Sequence, residues 1–90
     1  MSEQETISEA DKRIGFTDMK MKIMQDGAIE KRTKKLIALA CAAATGCDQC
    51  VVRHKGFTKK AGISDKEIEE ALLVASLIRM GSGLKYIDDF

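Results

Sequence analysis

The sequence has no tryptophan and no proline, and its 90 residues include one tyrosine, three phenylalanines and a single histidine. Aromatics make up 4% of the chain while apolar residues make up 44%, so a core has to be built from Leu, Ile, Val, Met and Ala. That inventory favours helices over sheets. An excess of charge of one sign is missing too: 15 basic against 14 acidic residues leave a formal +1. No block of like charge is long enough to follow a phosphate backbone, which argues against nucleic acid as a partner. The longest apolar run, residues 36–44, is far too short to span a bilayer, so no membrane association is expected. The opening Met-Ser-Glu-Gln-Glu-Thr is acidic where a signal peptide would be basic, and the expected location is the cytoplasm. Three cysteines in a reducing compartment cannot be a disulfide framework, because the count is odd. There, Cys-x-x-Cys points to redox chemistry or metal.

What is present reads as one all-helical domain. Residues 1–12 are polar and weakly patterned, a flexible tail or a poorly fixed first turn, and residues 13–90 carry the domain. Phe16, Met19 and Ile23 keep helical spacing, with Thr17 as a possible cap and Asp26-Gly27 as the close. A second helix is expected from about Glu30 to Thr45, with Thr33, Leu36, Ile37, Ala40 and Ala44 on one apolar face and Gly46 as its stop. Cys41 falls in its alanine-rich run and reads as core packing. A third helix begins near Cys47 and ends at Ala61-Gly62, with Val51, Phe57 and Ala61 as packing residues. Ser64-Asp65-Lys66-Glu67 is a capping box. Ile68, Ala71, Leu72, Ala75 and Ile78 continue a helix to Met80-Gly81, where Gly81-Ser82-Gly83 predicts a break before a short final turn over 84–90. A chain this short buries only about three-fifths of its unfolded surface, so self-association is expected.

The chemistry is concentrated in Cys47-Asp48-Gln49-Cys50-Val51-Val52-Arg53-His54. At roughly 100° per residue, spacings of three and then four place Cys47, Cys50 and His54 along one stripe of a helix. Cysteines three apart at a helix start can close a disulfide, and the free N–H groups and positive dipole end there stabilise a thiolate. His54, one turn beyond Cys50, is placed to take its proton and return it. Nearness to the helix terminus favours Cys47 as the attacking sulfur and proximity to His54 favours Cys50, and for a peroxide the balance leans slightly to Cys50. Two rivals use the same residues: a pair of structural cysteines beside a solvated histidine, or a zinc site with Cys41, Cys47, Cys50 and His54 as ligands. Structural zinc ligands usually come as two separated pairs, which these are not, so no metal is expected. Asp48 and Gln49 inside the loop read as an ordinary polar helix start.

In order and spacing, three segments resemble the carboxymuconolactone decarboxylase family, which includes the alkyl hydroperoxide reductase D proteins. They are Glu30 to Ala40, Gly46-Cys47-Asp48-Gln49-Cys50 with His54, and Ala61 to Leu72. The resemblance covers about residues 16–86 and implies an all-α protomer that assembles as a homotrimer or homohexamer. In the family's redox branch, a dithiol works with a histidine and a glutamate relay, without a cofactor. The implied function is reduction of a peroxide or disulfide, with a thiol as electron donor. The family's decarboxylase branch acts on a lactone without a dithiol, so the intact pair draws this chain toward the redox branch; a lyase or a non-catalytic oligomeric module is the alternative. Two positions depart from the pattern. The relay glutamate, twelve residues before the first cysteine, is replaced by Lys35, and the often aromatic residue before the second cysteine is Gln49. Lys35, on a stripe with Leu39, Ala42 and Gly46, is either a charge that favours the thiolate or an ordinary surface lysine among Lys31, Arg32 and Lys34.

Overall fold

A computed structural model of the protein describes residues 8–88, and within it the chain divides into two compact units, Met1–Lys31 and Arg32–Phe90. Among the described residues there are five helices and no strand, the all-α class that the composition implied. The part of the expected tail over residues 1–7 lies outside the described residues.

In the first unit, α1 (Glu9–Ile14) starts at Ser8, whose hydroxyl accepts the Asp11 N–H at 3.0 Å. Glu9 and Asp11 lie in its first turn and Lys12 and Arg13 in its last, both matching the helix dipole. Those caps give helical order to residues 9–12, which the polar pattern reads as a flexible tail or a poorly fixed first turn. Helix α2 (Phe16–Ile23) has Gly15 rather than Thr17 at its N-cap and ends at Met24, before Asp26-Gly27. Asp26 serves the next helix instead, its carboxylate accepting the Lys31 N–H at 2.8 Å. Phe16, Met19 and Ile23 do share helical spacing, yet all three are exposed and neither helix buries a residue.

The second unit holds the core. Leu39 on α3 (Lys31–Thr45) packs with Ile63 and Ile68, and Leu36, Val51 and Leu72 close around them. Leu39 and Ala42 are the buried residues of α3, so its buried face is rotated from the expected one, and Thr33 and Ile37 are exposed. Alanine provides the close approach but little directional preference, so the larger Leu39, rather than Ala40, sets the inward face. Cys41 is two positions from Leu39, about 200° around the helix, and is exposed instead of packed in the core. Helix α4 (Asp48–Lys60) runs from Cys47 to Ala61 as the sequence predicts, although Ala61 itself is exposed. Its buried Thr58 donates to the Lys55 carbonyl at 2.8 Å, while the Thr58 carbonyl accepts the Ile63 N–H at 3.1 Å.

Helix α5 spans Asp65–Asp88 without the break expected at Gly81-Ser82-Gly83. A helical glycine costs about 0.5–1 kcal/mol relative to alanine, which weakens a helix but does not end one when ordinary helix formers continue on both sides. Ile68 and Ala75 are buried and Leu72 half-buried, one stripe at helical spacing, whereas Ile78, expected on that stripe, is exposed.

The capping box forms at the start of α5: the Ser64 hydroxyl accepts the Glu67 N–H at 3.2 Å, and Glu67 Oε2 accepts the Ser64 N–H at 3.0 Å. The same oxygen accepts from Arg32 Nη2 at 2.6 Å, tying the start of α3 to the start of α5. The Arg32 hydrogen bond, followed by the Ser64 N–H, pulls the Glu67 carboxyl from 4.5 down to about 2. A carboxylate whose folded pKa is depressed contributes stability that is full above the unfolded value and is lost as pH falls through the folded one. The pair is partly solvated, so the effect is screened. Glu67→Gln is expected to lower the urea midpoint at pH 7, and its difference from the unsubstituted chain should shrink between about pH 4.5 and pH 2. A constant difference across that window would show that the carboxylate's charge contributes nothing.

Candidate active site

The site is built on a one-residue turn. Helix α3 ends with Gly46 at φ 76, where its N–H donates to the Ala43 carbonyl and the Cys47 N–H donates to the Ala42 carbonyl, both at 3.1 Å. These paired bonds over a left-handed glycine make a Schellman C-cap, which satisfies carbonyls that the helix end leaves free. Cys47 therefore closes α3 and, in extended conformation, is also the N-cap of α4. A side chain at an N-cap faces the free N–H groups of the first turn. The Cys47 sulfur accepts the Cys50 N–H at 3.3 Å, in the place a serine or aspartate oxygen usually occupies.

Cys47 and Cys50 are joined as a disulfide, with Cα atoms 5.2 Å apart, as suits two residues spanning the start of a helix. Both are half-buried. His54 lies one turn beyond Cys50 on α4, also half-buried, and its ring meets Phe57 edge-on with centroids 5.7 Å apart and planes at 72°. Phe57, read from sequence as a packing residue, thus also contacts the imidazole. Asp48 and Gln49 are exposed between the cysteines.

Two other sequence candidates are not brought to this group. Cys41 is the free thiol and points outward from α3, and among the described residues no cluster of three or more His, Cys, Asp or Glu side chains could hold a metal ion. Lys35 is half-buried on α3 and makes no hydrogen bond or ion pair with another described residue. One residue that the sequence reading missed does reach the turn: Arg79 of α5 donates from Nη1 to the Ala43 carbonyl at 3.0 Å. A β-carbon on Gly46 would lie 3.3 Å from the same nitrogen, so the guanidinium lies beside the glycine that precedes Cys47. Nothing local marks Arg79, since it follows Ala43 by 36 residues.

Comparison with known proteins covers the same region. The Carboxymuconolactone decarboxylase family model matches residues 14–85. "Uncharacterized protein 4 in cox locus" of Paracoccus denitrificans is 37% identical over 67 residues, 74% of this chain and 60% of that protein. "Alkyl hydroperoxide reductase AhpD" of Streptomyces griseus is 36% identical over 61 residues, 68% of this chain but 34% of its own length. This chain thus spans about a third of the AhpD relative. A crystal structure of a protein from Methanobacterium thermoautotrophicum superposes with a TM-score of 0.79 at 33% identity, covering 90% of this chain and 91% of that one. Together with the helical fold and the position of the dithiol, these matches bear out the resemblance read from the sequence: the chain belongs to the carboxymuconolactone decarboxylase family.

Proposed function

We propose that the protein is a thiol–disulfide oxidoreductase in which the Cys47–Cys50 pair cycles between disulfide and dithiol and reduces a peroxide or a disulfide. The observation that carries this reading is the Cys47 sulfur in the N-cap seat of α4, bonded to Cys50 and accepting its N–H. The family membership and the AhpD-named relatives support peroxide as a substrate. In the dithiol form a Cys47 thiolate keeps the Cys50 N–H and gains the helix dipole, both of which favour the charged sulfur. We therefore assign attack to Cys47, in place of the Cys50 favoured by sequence proximity to His54.

With a peroxide ROOH, the Cys47 thiolate attacks the outer oxygen, the O–O bond breaks, and ROH leaves after protonation. Cys47 becomes a sulfenic acid. Cys50, its proton taken by His54, then attacks that sulfur; the S–S bond forms and water departs. The net change is dithiol plus ROOH to disulfide plus ROH plus H2O. A thiol donor restores the dithiol by exchange, which completes the cycle. Lys35 is left as a charge on the same helix as the turn and has no step of its own.

A homotrimer or homohexamer is part of this reading. Leu73, Val74, Leu77, Ile78, Met80 and Ile87 of α5 are each 58% or more exposed, so the helix is apolar on faces that its own unit leaves bare. A helix that is apolar all round belongs in an interior. Light scattering is expected to give at least a trimer, and a monomer at micromolar concentration would remove this part of the proposal.

Trapping distinguishes the two sulfurs. After one equivalent of peroxide, Cys50→Ser should retain a sulfenic acid at Cys47 that dimedone labels, while Cys47→Ser should give little labelled product at Cys50. The opposite pattern would return attack to Cys50, and no peroxide- or disulfide-dependent change in either variant would sink the redox reading.

His54→Gln is expected to leave the fold intact and slow disulfide closure near neutral pH by roughly 10²–10⁴, the usual effect of a positioned acid–base group. Stopped-flow measurement over a pH series checks this. Closure at the unsubstituted rate would reduce His54 to a packing partner of Phe57.

A further inference from the structure

The α3–α4 turn is tied to α5 by one side chain whose position the redox scheme leaves unexplained. Arg79 is exposed, yet its Nη1 donates to the Ala43 carbonyl at 3.0 Å, at the negative end of the α3 dipole. It meets there the carbonyl that also accepts the Gly46 N–H. The guanidinium flanks Gly46 closely enough that a β-carbon there would approach Nη1 to 3.3 Å. Gly46 is bonded directly to Cys47, so whatever holds Ala43 and Gly46 also fixes where the Cys47 backbone enters α4. A bond from a charged donor is shorter and stronger than a neutral one, and a planar guanidinium holds its direction.

We propose that Arg79 is a positioning residue for the dithiol, holding the α3–α4 turn through the Ala43 carbonyl so that the two sulfurs stay at closing distance in both redox states. The role rests on the redox reading above. It acts through backbone geometry, because closing a disulfide between two held thiols is an intramolecular step whose equilibrium reports how well they are held. When the turn is free to move, the dithiol samples arrangements from which the ring cannot close, and the disulfide becomes easier to reduce.

The test is equilibrium with glutathione: protein disulfide plus two GSH gives protein dithiol plus GSSG, with the four species quantified after acid quench. Arg79→Met keeps the aliphatic stem and removes the donor. It is expected to raise the equilibrium constant for reduction about tenfold, or about 30 mV in potential for this two-electron couple. Arg79→Lys, whose ammonium can still donate to the Ala43 carbonyl, should stay within about threefold of the unsubstituted chain. Gly46→Ala disturbs the same turn from its other side, through its φ of 76, and should shift the constant in the same direction as Arg79→Met. All are compared at a temperature where their far-UV spectra coincide, so a loss of general stability does not enter the constant.

An Arg79→Met constant equal to that of the unsubstituted chain would overturn the role, as would Arg79→Lys behaving like Arg79→Met. If Gly46→Ala shifts the constant and Arg79→Met does not, the turn matters without Arg79, and the proposal is wrong. An unsubstituted chain that never equilibrates with glutathione would instead remove the redox reading itself, and this role with it.

Discussion

The left-handed turn at Gly46 is the constraint from which the site follows. With φ at 76, a conformation that side chains with a β-carbon rarely adopt, it ends α3 and lets the next residue begin α4. A longer link would give Cys47 room to sit outside the helix start. Here it accepts the Cys50 N–H while its own N–H remains bonded to α3. The dithiol is held at the junction of two helices, and a change in either helix end reaches the sulfurs.

The core supports that junction with few residues. Leu39, Ile63 and Ile68 bring together α3, the loop after α4 and the start of α5, and the Arg32 to Glu67 pair joins the start of α3 to the start of α5. Leu39 and Ala42 on α3 face inward, and Ala42 also accepts the Cys47 N–H. Packing and site are thus continuous along one stripe of α3. Polar groups buried in this unit are satisfied: Thr58 bonds within its helix, and no buried side-chain nitrogen or oxygen among the described residues lacks a partner. The apolar surface that α5 leaves exposed is large for so thin a core, which is why assembly belongs to the functional reading.

The site combines two kinds of position. Cys47 is at the N-cap of α4, its sulfur accepting the Cys50 N–H. Cys50 and His54 lie one turn apart along α4, where the Phe57 ring meets the imidazole edge-on. Lys35, where the family resemblance implies a glutamate, has no carboxylate to offer a relay. His54, the chain's single histidine, lies one turn beyond Cys50 on α4.

The sequence by itself determined the local features. The spacing of Cys47, Cys50 and His54, the glycine stop before them and the Ser64 to Glu67 capping box each depend on residues within a turn or two of one another, and each is found where the pattern placed it. Tertiary structure decided what local pattern leaves degenerate. An alanine-rich helix presents several nearly equivalent faces, so the packing of Leu39 against Ile63 and Ile68 chose the inward one and left Cys41 exposed. Gly81 and Gly83 weaken α5, but the helix runs through both. The Arg79 contact comes from folding alone, because a side chain 36 residues from its acceptor has no periodicity or motif to announce it.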